Sequence, residues 1–261
     1  LKALSDVAGI SETPGTYHAG FLLGPRVNAG GRVGRSEAGT ILLSTDDDEE
    51  AAKISSELNT YNAERQAIEA MVLEDAMDQV NQKIGPGGIV PPIIIAAGNG
   101  WHPGVIGIVA GRIKEHFGRP TIIIAIDDNG DAKGSGRSIS GVDLGAAITA
   151  ARQAEILTAG GGHAMAAGLS MRSDQSEELH GFLTKRLKDK VDDAVKSLSL
   201  KLDGVLSLSA VNPELVQLLD QIGPYGQGNA GPRFAFSDAV VSYVDVVGKD
   251  HVKCTFKGGD G

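Results

Sequence analysis

The sequence predicts an α/β protein in which a long helix leads into an α/β domain and a small β-barrel begins after it. Apolar residues recur at steps of three and four from Asp46 to about Lys83, which is the period of one helix face. Two apolar runs, Ile93–Ala97 and Thr121–Ile126, then enclose a second helical pattern, an order typical of a βαβ unit with buried parallel strands. After Lys201 the apolar runs become short and β-branched, which favours a barrel.

The charge of the chain is unevenly distributed. It has 24 Lys and Arg against 33 Asp and Glu, a formal charge of −9 over 261 residues, whereas phosphate-binding proteins are usually basic. Eleven acidic and two basic residues lie between Asp46 and Asp78, so this window alone carries −9. Because the rest of the chain is balanced, net charge does not exclude a nucleic-acid partner.

Cysteine content and hydropathy limit the cellular setting. The single cysteine, Cys254, excludes a disulfide scaffold and a Cys-based zinc site, and it fits a reducing cytoplasm. No apolar run reaches the roughly 18–20 residues that span a bilayer, so we expect no membrane partner and a cytoplasmic protein. The chain opens on Leu1 rather than Met, and we interpret it as a piece of a longer protein.

The N-terminal segment and the long helix that follows it differ in composition. Residues 1–44 are rich in glycine and predict irregular structure. Thr45 is expected to cap the long helix, whose acidic first turn suits the helix dipole, and Arg65 fills the one gap in its apolar pattern. Some 35 residues at about 1.5 Å each span roughly 50 Å. We interpret this helix as a strut between two domains.

An α/β domain is predicted over residues 86–200. After the Ile93–Ala97 strand its elements are a helix over 105–117, the Thr121–Ile126 strand, a hairpin to a strand at Ala132–Ser138, a helix from about Asp143 to Leu157, a Gly160–His163 loop, a strand near Ala167–Met171 and a helix from about Ser176 to Val195. From Lys201, the runs Val205–Leu208, Phe234–Phe236, Val240–Val247 and Val252–Phe256 surround a turn-rich stretch, Gly223–Asn229. They predict the beginning of a barrel.

Two glycine-containing segments carry arginine. Leu23–Arg32 combines two arginines and an amide with backbone N–H groups, a combination that suits phosphate. Lys133–Ser138 places a hydroxyl and an arginine between glycines on a strand. A surface loop with solvated arginines in the first case and a β-bulge in the second stay open as alternatives.

Two further segments carry histidine. Three consecutive glycines before His163 are costly unless a ligand approaches the backbone, and a helix C-cap followed by a core histidine is the alternative. His102 precedes a helix whose free N–H groups either hold an anion or are simply capped. Trp101, beside it, is interpreted as a core residue, with a stacking platform as the alternative.

The residues alone reveal no catalytic centre. The six histidines show no H-x-H or H-x-x-x-H spacing, and no Ser/His/Asp order, Walker A loop or G-x-G-x-x-G loop is present. The Asp46–Asp48 triplet begins a helix and is interpreted as a cap with solvated charges rather than as a metal site.

In their order and spacing these motifs resemble the RecJ-type exonucleases of the DHH phosphoesterase superfamily. The resemblance is carried by Leu23–Arg32, the long helix, Trp101–Ala110, Ser135–Ser138, Gly160–Gly168 and Pro224–Asn229, and it runs through essentially all 261 residues. It implies that residues 1–45 are the C-terminal tail of a DHH domain, 46–84 a connecting helix, 86–200 a DHHA1-type domain and 201–261 a partial OB-fold.

The resemblance also implies an activity. Such enzymes degrade single-stranded DNA from a 5′ end with Mn²⁺ or Mg²⁺, in DNA repair and recombination, so the chain would be part of a metal-dependent exodeoxyribonuclease, a hydrolase. The D-x-D and D-H-H motifs that hold the metals do not occur in this sequence. We therefore expect the metal ligands to lie outside this chain, and the isolated chain to form only the nucleic-acid-binding wall of the cleft and to be inactive.

The resemblance assigns the binding residues. Ser135 and Arg137 would hold the terminal phosphate, while Gly161, Gly162 and His163 would line the scissile region, with His163 a candidate for an assisting role in catalysis. Arg26, Asn28 and Arg32 would reach in from the DHH side. His102 is a further expected substrate-binding residue, from its position at the entrance of a helix rather than from the resemblance. The OB-fold would hold the incoming strand by stacking and backbone contacts.

Two other functions stay open. A smaller DHH/DHHA1 phosphodiesterase acting on short oligonucleotides or cyclic dinucleotides is disfavoured by the β-rich segment that follows Gly223–Asn229. A non-enzymatic DHHA1-like nucleic-acid-binding module, such as the one on alanyl-tRNA synthetases, is disfavoured by Leu23–Arg32, which resembles the remnant of a DHH domain. We expect a monomer that binds single-stranded DNA, and the sequence identifies no protein partner.

Overall fold

The computed structural model describes residues 1–226, 228–237, 239–248 and 251–258, which form two compact units, 1–198 and 199–261. The helices are α1 (Lys2–Val7), α2 (Gly24–Val33), α3 (Ala38–Ser44), α4 (Asp48–Ile84), α5 (Ile106–Phe117), α6 (Leu144–Gln153), α7 (Ser176–Lys196) and α8 (Pro213–Asp220). The strands are β1 (Ile94–Asn99), β2 (Thr121–Ile126), β3 (Asp131–Arg137), β4 (Ala159–His163), β5 (Ala166–Arg172), β6 (Gly204–Leu206), β7 (Phe234–Phe236), β8 (Val240–Val247) and β9 (His251–Lys257). The four domain boundaries drawn from the sequence stay predictions.

The prediction of irregular structure over residues 1–44 is wrong, because the segment is helical. A π-helical turn, His18–Leu23, runs directly into α2, and α1 and α3 pack beside it on α4. The glycines here permit close packing: a Cβ at Gly30 would lie 2.4 Å from the Arg35 carbonyl oxygen, and one at Gly39 would lie 2.9 Å from Val27. Glycine content therefore marks helix contacts here rather than loops.

The long helix is confirmed as α4, with 37 residues, or about 55 Å at 1.5 Å per residue. Its N-cap is Asp47 rather than Thr45, since the Asp47 carboxylate accepts hydrogen bonds from the backbone N–H groups of Glu49 and Glu50. The N-terminal half of α4 packs on α1–α3 through Ile54 and Leu58. Its C-terminal half packs on the sheet and α5, so one helix contributes to two cores.

A five-stranded sheet in the order β1-β2-β3-β5-β4 forms the centre of the first unit. The predicted βαβ unit is confirmed, since β1 and β2 pair in parallel around α5, while the other pairs are antiparallel. One face buries α6 and α7, and on the other face α4 and α5 cover β1 and β2. The predicted Gly160–His163 loop is wrong, because these residues pair with β5 as the edge strand β4.

The second unit contains two small sheets. Strands β6 and β7 pair in parallel, and β8 and β9 form an antiparallel hairpin with an irregularity between Val241 and Tyr243. Helix α8, which the sequence reasoning missed, is capped by the Asn212 side chain. Of the predicted turn Gly223–Asn229, Gln227 lies outside the described residues. The strands that the structure describes do not close a barrel.

Within the described parts of the chain, no helix combines the length and the apolar character needed to cross a membrane.

Candidate nucleic-acid interface

Strand β3 presents polar side chains on one face and glycines on the other. Lys133, Ser135 and Arg137 alternate with buried positions, as a regular strand requires. A Cβ at Gly134 or Gly136 would lie 2.6–2.8 Å from core leucine side chains on the α6 and α7 side. Because β3 pairs in continuous register with β2 and β5, the alternative of a β-bulge is excluded.

The register brings residues of three strands into two rows. Arg137 pairs with Ala166 of β5, which pairs with His163 of β4. One step along, Ser135 pairs with Gly168, which pairs with Gly161. At about 4.8 Å between neighbouring strands, β3 and β4 lie roughly 10 Å apart. The result is a floor of small residues with a cation on one side and an imidazole on the other.

This floor is open. A Cβ at Gly161 or Gly168 would meet no heavy atom within 4 Å, so packing within this chain does not require glycine at either position. Glycine costs about 0.5–1 kcal/mol relative to alanine within a strand, and a closely approaching ligand would explain both. Gly162 differs, because its Cβ would lie 2.3 Å from the carbonyl oxygen of Ala166, on the opposite side of the strand from Gly161. Gly162 is thus required for packing and does not line this floor.

Arg137 and Ser135 form one preorganised pair. Nη1 of Arg137 donates to Oγ of Ser135 at 3.1 Å and to the carbonyl oxygen of Gly136 at 2.8 Å. Gly107, in the first turn of α5, lies directly above them: a Cβ there would be 2.9 Å from both Nη2 of Arg137 and Oγ of Ser135. Because Gly107 has no side chain, α5 can approach β3 closely. This close approach holds the half-buried guanidinium of Arg137 in place.

Arg32 is the second cation of the site. Its Nη1 donates to the carbonyl oxygen of Gly104 at 3.0 Å, which ties α2 to the turn before α5. Burial lowers the pKa of the Arg137 guanidinium, and the positive charge of Arg32 lowers it further. In the described part of the chain, neither arginine forms an ion pair with a carboxylate. Two like charges held together without an internal counterion favour an external anion.

Arg26 and Asn28 lie in a neighbouring cavity of about 440 Å³. Leu23–Arg32 is helical, so the prediction that this segment is a loop with free backbone N–H groups is wrong. Only its side chains are available to bind an anion. Nε of Arg26 donates to Oδ1 of Asn59 at 2.9 Å, and burial lowers the pKa of its guanidinium. Arg32 also lines this cavity, so it joins the two regions.

The His102 side chain is hydrogen-bonded within the chain. Its Nδ1 accepts a hydrogen bond from the backbone N–H of Gly104 at 3.0 Å, so it shapes the turn that anchors Arg32. Trp101 is buried, and its Nε1 donates to Oδ2 of Asp75 at 3.0 Å, which supports the core interpretation. His163, in contrast, is exposed at the end of the edge strand, and among the described residues its imidazole forms no hydrogen bond or ion pair.

The sequence did not predict an ion-pair network that lies under the cavity. Glu69, only 3% exposed, binds Arg65 on its own helix and Arg112 of α5, the latter at 2.5 Å between Nε and Oε1. Arg65 also donates to Oδ1 of Asn62 at 2.6 Å. The signal was present in the sequence, since Arg65 occupies an apolar position of the helix pattern and Glu69 follows four residues later.

The site contains no metal centre within the described residues. No three His, Cys, Asp or Glu side chains among them cluster as ligands of one ion. The described residues therefore do not fit the metal ions that the resemblance implies.

Comparisons with known families match two parts of the chain. Residues 91–196 match the DHHA1 domain, and residues 202–261 match the RecJ OB domain. Curated relatives named single-stranded-DNA-specific exonuclease RecJ include one from Bacillus subtilis (strain 168), 32% identical over 241 residues and 91% of this chain, and one from Escherichia coli (strain K12), 35% identical over 240 residues and 90% of this chain. The chain spans 30% and 41% of the lengths of these two relatives.

Solved structures agree with the sequence matches. A crystal structure of RecJ with Mn²⁺ from Thermus thermophilus is 28% identical and has a TM-score of 0.76, covering 98% of this chain and 37% of that protein. A crystal structure of exonuclease RecJ bound to manganese is 29% identical, with a TM-score of 0.61 over 75% of this chain and 46% of that protein. A Mg²⁺ complex, also from Thermus thermophilus, matches with a TM-score of 0.74 over 98% of this chain and 39% of that protein. The family resemblance, the mixed α/β fold and the OB assignment are thereby confirmed.

Proposed function

We propose, because this chain belongs to the RecJ family, that its open sheet face holds the 5′ end of a DNA single strand as part of a 5′-to-3′ exonuclease. The exonuclease would act in DNA repair and recombination, with Mn²⁺ or Mg²⁺ held by ligands outside this chain. Ser135, Arg137 and Arg32 would bind the terminal phosphate, and the strand would continue over Gly168 and Gly161 towards His163.

The observation that carries this proposal is the pair of arginines at one end of an open floor. Arg32 lies close enough to Arg137 for the two positive charges to repel each other, and neither has a carboxylate partner among the described residues. Arg137 also donates to the Ser135 hydroxyl. A phosphate dianion would relieve this repulsion and accept several charged hydrogen bonds. The flat floor beside it would admit a backbone of any sequence, because contacts to phosphate carry no base information.

Several finer points belong to the same proposal. We infer that the isolated chain binds without hydrolysing, that His163 assists at the scissile region, and that the protein acts as a cytoplasmic monomer. The domain boundaries at 45, 84–86 and 200 are part of it. For hydrolysis, purified chain with Mn²⁺ and single-stranded DNA should release no nucleotides, and clear turnover would refute the assignment of the metal ligands to residues outside this chain.

The binding site is tested with Arg137→Ala. Anisotropy titrations with a labelled single strand should show affinity for the 5′-phosphorylated form falling about 10- to 100-fold, since a charged hydrogen bond contributes about 1.5–3 kcal/mol. Affinity for the 5′-hydroxyl form should change little. Arg152→Ala, an exposed arginine on α6, is the matched control. Equal losses for both strands, or none for either, would remove Arg137 from the phosphate site.

A competition arm addresses the alternative enzyme class. We expect an unlabelled 5′-phosphorylated strand to displace the labelled strand from the protein, and a cyclic dinucleotide to leave the labelled strand bound. Displacement by the cyclic dinucleotide at equal concentration would instead favour a phosphodiesterase for such ligands.

A further inference from the structure

A cavity lies between α2, α4 and α5. We propose that it holds one nucleotide unit, with the phosphate among its arginines and the base on the ring of Phe21 at its rim. This inference goes beyond the strand site, because the cavity is built from other residues and would operate even if Arg137 bound no phosphate. The two sites share only Arg32.

The cavity is strongly cationic in an acidic protein. Its lining includes Arg26, Arg32, Arg65 and Arg112 and, within the described residues, no carboxylate. Glu69 lies behind the lining and neutralises one of the four charges. Three uncompensated positive charges around about 440 Å³ of open space predict an anionic occupant of phosphate size or larger.

The guanidinium groups are held in place before any ligand arrives. Arg65 is fixed by Glu69 and Asn62, and Arg26 donates to Asn59 and to the Leu22 carbonyl oxygen. Each guanidinium carries five N–H donors, so these internal bonds leave donors free to point into the cavity. Preorganised donors bind with little loss of side-chain entropy, which favours tight capture of an anion.

An exposed aromatic residue at the rim extends the occupant from phosphate to nucleotide. Phe21 is 69% exposed and lines the cavity, and its ring stacks on Tyr17 with a centroid distance of 5.1 Å and an interplanar angle of 28°. Tyr17 is 63% exposed, so both rings of the stacked pair are accessible beside the cavity. Base–aromatic stacking contributes about 1–3 kcal/mol per base and tolerates any base.

Free nucleotide and a nucleotide within a strand share this chemistry. Because Arg32 lines the cavity and also lies beside Arg137, a strand leaving the sheet face could place one of its units here. A free mononucleotide would fit the same contacts and would compete with that strand for Arg32. The experiment therefore has one arm for each source.

The first arm uses titration calorimetry at low salt with the Arg137→Ala protein, in which the sheet-face site is impaired. The probes are dAMP, deoxyadenosine and 2-deoxyribose 5-phosphate. We expect dAMP to bind one site. Arg112→Gln should weaken dAMP and the sugar phosphate alike by about tenfold, whereas Phe21→Leu should weaken dAMP by about tenfold and leave the sugar phosphate unchanged.

The controls separate binding from folding and from net charge. Arg186→Gln makes the same charge change on the exposed surface of α7, on the other face of the sheet, and should not alter dAMP affinity. Phe21 is 69% exposed and the Arg112 side chain 58% exposed, and Arg65 remains as the counterion of Glu69 in Arg112→Gln. Both variants should therefore stay folded, and a thermal melt of each variant checks this. Absence of dAMP binding in the Arg137→Ala protein, or affinities indifferent to Arg112→Gln and Phe21→Leu, would overturn the proposal.

The second arm identifies the source of the nucleotide. Phe21→Leu in the otherwise unchanged protein is titrated with a 5′-hydroxyl oligodeoxyadenylate. A severalfold loss of affinity supports a strand unit in the cavity, and an unchanged affinity together with dAMP binding in the first arm supports free nucleotide. Failure of the strand site would appear separately, as strand binding that is indifferent to Arg137→Ala while dAMP binding persists.

Discussion

Glu69→Gln is the sharpest test of the network beneath the arginine cavity. The change keeps the size of the side chain and removes its charge. Glu69 is 3% exposed and holds both Arg65, whose side chain is 9% exposed, and Arg112, which is 58% exposed. The substitution therefore leaves one buried guanidinium without its counterion, while the exposed one can turn to solvent.

The size of the effect follows from these exposures. Removing one partner of a buried ion pair costs about 3–5 kcal/mol, because the other charge stays buried and uncompensated. Asn62 still accepts from Arg65, and the new amide oxygen can accept one hydrogen bond, so we expect the lower end, about 3 kcal/mol. Such a loss is a large share of the roughly 5–15 kcal/mol of free energy of unfolding that is typical of proteins.

Urea denaturation followed by tryptophan fluorescence measures it. Trp101 is the single tryptophan of the chain, is buried and is bonded to Asp75 of the same helix as Glu69, so it reports on the unit formed by residues 1–198. The matched control is Glu57→Gln, which makes the same change on the same helix at a partly exposed pair with Arg35, whose side chains are 23% and 48% exposed. Its loss should be much smaller, since solvent screens exposed pairs.

Equal, small losses for the two variants would refute the reasoning. They would mean that Arg65 reaches solvent once Glu69 is neutral, and that the network does not hold the cavity in shape.

Three further predictions concern other parts of the first unit. Gly162→Ala should lower the free energy of unfolding by about 1–3 kcal/mol, because its Cβ would lie 2.3 Å from a backbone carbonyl oxygen of β5. Gly168→Ala should change the free energy of unfolding by less than about 0.5 kcal/mol, yet weaken strand binding in anisotropy titrations. Equal stabilities of the two variants would contradict this difference. Asp47→Ala should cost about 1 kcal/mol in urea denaturation as the true N-cap of α4, whereas Asp46→Ala should cost clearly less. Arg32→Gln should reduce the slope of log K for single-strand binding against log salt by about 0.7, and an unchanged slope would show that Arg32 contacts no phosphate.

The sequence predicts elements well where a single pattern dominates. The apolar runs of β1 and β2 and the period of α4 and α5 are set by burial, and the structure confirms them. Prediction fails where glycine has two meanings. Gly30 and Gly39 serve helix contacts, because backbone atoms of a neighbouring segment leave no room for a side chain there. Gly160–Gly162 form an edge strand, because they pair with β5, which no local pattern indicates.

The candidate site is predictable as residue types but not as geometry. Ser135 and Arg137 share a strand face by simple alternation, which the sequence already indicates. Their alignment with Gly161 and His163 depends on β5 lying between β3 and β4, a strand order that no local pattern contains. The approach of Arg32 likewise depends on how α2 packs against α4 and on one hydrogen bond to Gly104.

The hydrogen bond between Arg32 and Gly104 has a consequence for experiments on single domains of this family. Residues 91–196, the segment matched to the DHHA1 domain, contain Ser135 and Arg137 but not Arg32, which lies 105 positions before Arg137 in the chain. A protein shortened to that segment would keep the floor and Arg137 but lose Arg32, the cation beside Arg137. Under the proposed function the binding site therefore extends beyond the segment matched to the DHHA1 domain. The affinity of the excised segment 91–196 for a 5′-phosphorylated single strand should then be lower than that of the whole chain.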